Sequence, residues 1–480
     1  MTVSIKSAGG LINEPPKILD LKIEDNINFN VNFVNISYKV EDADLQIVRH
    51  YITITDVCEN KEITKEVGYE QEGNVFHYKV EGLSTRNKTY TIQIHCFDGL
   101  DRSNSNAIQV TTPAVCLYGL SIDDSNTNPT TSIVYENDSI NFTPATSTND
   151  NGWNDRWPFN KIRIVGLKAG NVTKEIQKNN KQYYVDGTKV PDGVDVMVEF
   201  PKIYWKTESI SWYKYKILIS DTKIDDTYDC YAHKVNGKEK DHIYIGCFLS
   251  SGEYVSKSGV QGLGATYRDF FSHCAQIKNK KGEGYCNFYL FALTLIRILF
   301  LLKYKTKDSQ SILGDGRTGR YNNLKIGASN TFELDHRSSD GNDPACFLGI
   351  EDIWGLERMC VAGIKTTGQS TYVDLAICED NAFLHDANEW RKGVSTSWSA
   401  DGYIQYSYQD ADILFLAQDR SQKASTTTGY TDYSQYNSYD MVAYGGRQYP
   451  RDTYDPKSSG IFAMSSIDWG GAIRIAYVGV

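Results

Sequence analysis

No two of the ten cysteines stand at CxxC spacing, which removes the sequence basis for a zinc ribbon or a thioredoxin-like redox pair. Scattered from Cys58 to Cys378, they are expected as buried thiols in a chain made in a reducing compartment. A basic excess is missing too. Fifty Lys and Arg face sixty Asp and Glu, a net charge of −10, which argues against a nucleic-acid footprint and against an anionic membrane surface. The opening MTVSIKSAGGLINEPPK is polar, without the apolar core of a secretion signal, so export by that route is not expected. Proline is scarce at 11 residues. The turns rest instead on Gly, Asn, Asp and Ser, between short β-rich runs.

Long apolar runs are also lacking, with one exception, YCNFYLFALTLIRILFLLKYKTK at 285–307. A membrane span needs about 20 mostly apolar residues without a central charge. Arg297 interrupts this run, and Lys303, Lys305 and Lys307 close it. Asn287, Thr294 and Arg297 would share one helical stripe. A helix apolar on all but a narrow stripe belongs inside a large domain, and lysines suit the negative end of its dipole. The expectation is a buried core helix and no membrane insertion. A second helix is expected in ATYRDFFSHCAQI, where Tyr267, Phe270, Phe271, Cys274 and Ile277 line one face.

Residues 17–112 read as short alternating strands, at Ile18–Ile23, Phe33–Val40, Val48–Ile54, Val75–Val80, Tyr90–Cys96 and Ala107–Thr111. The ending TYTIQIHCFDG…AIQVTT is that expected of a fibronectin-III or Ig-like sandwich. The expected fold class is mainly β with an α+β C-terminal domain. Three domains follow: an Ig/fibronectin-III-like sandwich at 1–114, a β-rich module at 115–225, and an α+β domain at 226–480 whose core holds the apolar helix.

The last of these resembles the C-type-lectin-like fold, in the branch shared with formylglycine-generating-enzyme (sulfatase-modifying-factor) domains. The resemblance rests on the apolar helix running into LLKYKTKDSQSILG, on FLGIEDIWGLERMCVAGI, and on GIFAMSSIDWGGAIRIAYV, with Arg474 and Tyr477 in its closing strand. Leu356, Met359 and Cys360 depart from the family pattern in the second piece. YGLSIDDSNTNPTTSIVYENDSINFTPA, WPFNKIRIVGL and DGVDVMVEFPKIYWK resemble an arrangement that precedes this domain in phage and prophage tail or receptor-binding proteins. The resemblance covers 116–480. It implies a virion structural protein (tail fibre, baseplate or spike), made in the host cytoplasm and displayed on the particle. Its C-terminal domain would bind a host-surface glycan or protein. It would contact other virion proteins, and a homo-oligomer, a trimer above all, would multiply a weak site. The alternative is a purely architectural virion protein: baseplate, collar or capsid decoration.

Chemistry has few candidates. The formylglycine-generating branch uses reactive cysteines near its C-terminal end, whereas the last cysteine here is Cys378; no enzyme is expected. His336 among Asp335, Asp340 and Asp343, and His385 beside Asp386, could be metal or acid–base sites but read first as solvated turns. GDGRTG at 314–319 lacks the Lys-Ser/Thr of a phosphate loop. Trp153-Asn154-Asp155 spells the WND of calcium-dependent lectins without an EPN or QPD partner. No catalytic residue, metal site or cofactor is assigned.

Binding has a stronger compositional signal. Ten of the 33 tyrosines fall between Tyr403 and Tyr454, among Ser, Thr, Asn, Asp and Gly. Tyrosine brings large amphipathic area at small entropic cost, and aromatic faces stack on sugar rings. Trp398, Tyr430, Tyr433, Tyr436, Tyr439, Arg447, Arg451 and Tyr454 are the expected ligand contacts, in loops that the resemblance also implies face the ligand. The competing reading packs these tyrosines on each other at an oligomer interface. Trp469, in the closing segment, is as readily a core residue.

Overall fold

The computed structural model describes residues 14–24, 33–42, 48–57, 61–81, 83, 88–111, 115–235, 237–265, 269–317, 326–339, 343–356, 358–367, 372–378, 390–397, 402–421, 430–434, 442–445, 460–466 and 471–479. Among the described residues strand outweighs helix, 46% to 12%, and nearly all pairing is antiparallel, which meets the mainly β expectation. The chain divides into two compact units, Met1–Cys116 with Thr222–Asp226, and Leu117–Asp221 with Thr227–Val480.

The first unit contains β1 (Lys17–Ile23), β2 (Phe33–Glu41), β3 (Arg49–Asp56), β4 (Lys61–Glu66), β5 (Glu70–Glu72), β6 (Val75–Glu81), β7 (Thr89–Phe97), β8 (Arg102–Asn104) and β9 (Ile108–Thr111). They form two sheets, β1-β2-β6-β5 and β4-β3-β7-β8, with β9 also on β7. Alternation decides the facing. Val34, Ile36 and Tyr38 of one sheet meet Ile52, Ile54, Ile92, Ile94 and Cys96 of the other in a single core, as the period of two dictates. All six strands expected here are present. β4, KEITKE, is exposed at every position, a charged edge strand of the kind that resists further pairing.

In the second unit, β10 (Leu117–Asp123), β11 (Ile133–Asn137), β16 (Tyr204–Ser211) and β17 (Lys214–Ser220) make a four-stranded sheet in the order β11-β10-β17-β16. A seven-stranded sheet begins with β14 (Asn180–Tyr184), β13 (Asn171–Gln177), β12 (Arg163–Lys168) and β15 (Asp195–Pro201). It continues through His242–Gly246, Ile475–Tyr477 and Tyr285–Asn287. The boundary expected at 225/226 falls inside this sheet: Met197 pairs with Gly246 and Pro201 with His242. One hydrophobic core runs from Tyr118 to Val478.

Among the described residues three α-helices follow one another: α1 (Phe270–Lys281), α2 (Leu290–Tyr304) and α3 (Ser309–Leu313). Every residue of α2 is buried. Its fifteen residues span about 22 Å, short of the ~30 Å of bilayer hydrocarbon. Among the described residues no helix is long and apolar enough to cross a membrane. The apolar run of 285–307 is thus shared between a sheet strand and a helix. Asn287 therefore lies on a strand, not on the expected helical stripe, and its amide donates to the Phe288 and Cys360 carbonyls. Thr294 donates back to the Leu290 carbonyl, and Arg297 Nε donates to the Ile461 carbonyl at 2.8 Å.

The three resembling pieces meet around α2. The Trp354 indole donates to the Gly314 carbonyl at 2.8 Å. Fully buried Arg474 donates to the carbonyls of Gly246 and Glu351, each at 2.6 Å. The Glu351 carboxylate in turn accepts from the backbone N–H groups of Gly327 and Ser329. Residues 314–316 cross 354–355 so closely that a Cβ on Gly355 would overlap the Asp315 carbonyl oxygen, and Gly355 has a φ of +93°. Gly355→Ala is expected to lower the stability of the second unit by more than about 2 kcal/mol, through both clash and left-handed backbone. Urea denaturation would read this, and an unchanged midpoint would refute the account of the crossing.

Candidate functional site

The site is built outward from one buried carboxylate. Asp124 follows β10 and is 3% exposed. Its Oδ1 accepts from Lys307 Nζ at 2.6 Å, in an ion pair with both side chains at 1% exposure or less. Its Oδ2 accepts from the Ser407 backbone N–H and from Ser407 Oγ, both at 3.0 Å. A hydroxyl gives only one proton. With that proton on Asp124, Ser407 Oγ accepts from the hydroxyls of Tyr215 (3.0 Å) and Tyr430 (3.2 Å). Burial, with the nearby Asp124 charge, pushes both tyrosines well above their usual range, so they remain donors. Lys307 Nζ also sits 4.6 Å from the Tyr430 ring centroid, a cation–π contact. One carboxylate thus ties the chain leaving α2 to the strand Gly402–Ser407 that opens the tyrosine-rich stretch.

The backbone N–H of Asp124 donates to the Tyr213 carbonyl at 2.8 Å, and Tyr213 begins the outer surface. It lies in the turn between β16 and β17, where Ile210 is 54%, Trp212 67% and Tyr213 37% exposed. Alternation along β17 turns Tyr215 and Ile217 inward, while Lys214 and Lys216 face out and pair with Asp123 and Glu136. Gln409 fixes the turn: its amide donates to the Ser211 and Trp212 carbonyls, and its Oε1 accepts from Ser209 Oγ. Tyr406, one residue before Ser407, packs on Tyr213 with ring centroids 4.4 Å apart and planes inclined by 35°. The result is a Tyr213–Tyr406 ring pair with the exposed Trp212 beside Tyr213 in the turn, the backbone of that turn held from beneath.

The expected ligand contacts divide. Trp398, Tyr436, Tyr439, Arg447, Arg451 and Tyr454 lie outside the described residues, as do His385, Asp386 and Trp469. Tyr433 lies on the strand Tyr433–Ser434, in register with Tyr403. Tyr430 is corrected: it is fully buried, its hydroxyl serves the Asp124 network, and its ring packs edge-on against Phe462. Trp212, Tyr213 and Tyr406 were not among the expected contacts, and the structure places the first two at the surface with Tyr406 against Tyr213. The signal available was SWYK, an aromatic pair where a hairpin turn ordinarily carries Gly, Asn or Asp.

The other candidates resolve into structure. His336 stacks on Phe332 at 3.6 Å, while its neighbour Asp335 accepts from Lys303, Tyr304 and the Leu348 N–H. Burial holds the His336 imidazole below its usual range. In WND, Trp153 is core and Asn154 accepts from Lys303 at 2.7 Å. Arg317 of GDGRTG pairs with Asp352 and Glu351. Asp229, Cys230 and Glu239 lie close enough to hold an ion. However, burial pushes the Cys230 thiol up to about 12, and Lys234 and Lys202 already pair with the two carboxylates. That chemistry suits a salt-bridged cluster, not a thiolate metal centre.

No protein-family model matches the chain, and a search of curated proteins gives no match.

Two predictions follow from the geometry. Asp124→Asn leaves the Lys307 charge buried without its counter-charge, a loss of about 3–5 kcal/mol. Adding Lys307→Met should recover part of it, and a double-mutant cycle in urea reads the coupling; additive losses would refute it. Asp432 is fully buried, accepts from the Phe462 N–H at 2.7 Å, and is pushed up to about 8 by that burial, with Asp308 adding to the rise. The folded state therefore holds the proton more tightly than the unfolded state. Its contribution is full below the ordinary carboxylate range and falls as pH rises to about 8. Asp432→Asn should flatten the decline of melting temperature between pH 5 and 9; an unaltered profile would count against it.

Proposed function

We propose that this chain is a virion structural protein of a phage, prophage or phage-tail-like particle, whose second unit binds a host-surface receptor of the carbohydrate class. The observation that carries the reading is the exposed Trp212–Tyr213 turn, with Tyr213 packed on Tyr406 of the strand that Asp124 holds at the head of the tyrosine-rich stretch. A receptor site needs exposed aromatic area whose backbone is ordered before binding.

The first unit supports the modular part of the reading. Taking β1, β2, β5 and β6 as A, B, D and E, and β3, β7 and β9 as C, F and G, gives sheets ABED and CFG, the Ig-like order. β4 adds a C′ strand at the edge. Such a module spaces and orients. The lectin-like reading of the C-terminal region draws support from the convergence of residues 301–314, 347–356, 358–364, 460–466 and 471–478 on one core. One observation favours the architectural alternative. Tyr430 is internal, and Tyr213 packs on Tyr406, so tyrosines of this region can serve packing alone.

The test is binding of the labelled full chain, displayed multivalently, to a panel of bacterial cells and purified surface glycans. A Tyr406→Ala/Tyr433→Ala variant of unchanged melting temperature is run beside it. Binding to a subset of strains, reduced about tenfold or more in the variant, supports receptor recognition. Absence of binding by the multivalent wild type would favour the architectural protein.

A further inference from the structure

The hairpin turn bearing Trp212 is separated in sequence from the tyrosine-rich stretch, yet it stands beside Tyr406. It is the most exposed aromatic position described. Trp153, Trp205 and Trp354 are fully buried, as an indole ordinarily is when packing permits. The tip is ordered without help from Trp212's own ring. Gln409 holds the Ser211 and Trp212 carbonyls, Asp124 holds the Tyr213 carbonyl, and the Trp205 indole donates to the Ala411 carbonyl. The indole is thus presented by groups that do not cover it.

Charge and size narrow what it can meet. The described lysines on this sheet are neutralised: Lys206 by Glu208, Lys214 by Asp123 and Lys216 by Glu136. Asp410, next to Gln409, is exposed. A neutral-to-acidic rim does not attract phosphate, sulfate or an anionic headgroup. The exposed parts of Trp212, Tyr213 and Ile210 amount to an area on the order of 400 Å², the scale of a small aromatic platform. An exposed aromatic face without surplus positive charge instead suits a pyranose ring, whose C–H face lies on the indole.

We propose that Trp212, with Tyr213 and Tyr406, is a saccharide-stacking subsite for a neutral sugar unit of the receptor glycan. This rests on the receptor-binding reading and adds to it a contact outside the tyrosine-rich stretch. The test uses the full chain labelled with 5-fluorotryptophan, the Trp212 resonance being assigned as the one lost in Trp212→Phe. It is titrated with the purified surface polysaccharides of strains the wild type binds, and separately with phosphatidylethanolamine–phosphatidylglycerol vesicles. The expected result is a saturable shift of that resonance with polysaccharide alone. Trp212→Ala should weaken strain binding about tenfold or more at unchanged melting temperature, and Trp212→Phe, which keeps a flat face, should weaken it less. If the wild type binds while Trp212→Ala binds equally and the resonance is still, the subsite is refuted and the receptor reading stands. A shift with vesicles alone would replace the sugar with a lipid surface. A wild type that binds no strain refutes both readings.

Discussion

A lysine and an aspartate buried together at the exit of an apolar helix set the frame for the second unit. Helix α2 is polar only at Thr294, Arg297, Lys303 and the Tyr304 hydroxyl, and the burial energy of its apolar residues is non-directional, so it does not by itself fix register or rotation. The Arg297 bond to the Ile461 carbonyl ties the middle of the helix, and the Lys307–Asp124 pair fixes its exit. A buried charge tolerates little displacement from its partner, because losing it costs several kcal/mol. Lys303, bound to Asp335 and Asn154, adds a second fixed point one turn earlier. Between them the two lysines pin the helix end to residues drawn from β10, the WND turn and the loop at 335.

The same carboxylate explains why the outer surface is ordered. Asp124 receives the amide and hydroxyl of Ser407, so the strand Gly402–Ser407 cannot shift register by one residue without exposing a buried charge. Such a slip would also exchange its two faces. Tyr406 and Ser407 then divide neatly, one toward Tyr213 and the other toward the interior. A single internal electrostatic choice is read out at the surface as the position of an aromatic ring.

Much of this was legible in the sequence, for identifiable reasons. The strands of the first unit announced themselves by alternation, with Val34, Ile36 and Tyr38 or Ile92 and Ile94 at every second position. KEITKE did not, because a strand exposed on both faces carries no pattern. The burial of α2 was legible from its composition, but its start was not: Tyr285–Asn287 is buried strand, and an apolar run looks the same in either state. The continuity across 225/226 was hidden because β15 and His242–Gly246 are joined by pairing, not by local signal. At the candidate site, composition pointed to the tyrosine-rich stretch but could not separate internal Tyr430 from surface Tyr406, since both bear the same side chain among similar neighbours. Trp212 lay elsewhere in the chain and became visible only when the β16–β17 turn brought its neighbour Tyr213 onto Tyr406.

The place of Ile475–Tyr477 in the seven-stranded sheet bears on synthesis. This strand lies between His242–Gly246 and Tyr285–Asn287, both of which leave the ribosome long before it. At a translation rate of about 10 residues per second, the roughly 230 residues after Gly246 take on the order of 20 s to appear. Until Ile475–Tyr477 emerges, the edge of His242–Gly246 that receives it stands unpaired, as does Tyr285–Asn287 once it is made; until residue 461 emerges, α2 also lacks the carbonyl that receives Arg297. A nascent chain in this state offers ready docking for a sister chain on the same message, so polysome crowding competes with closure.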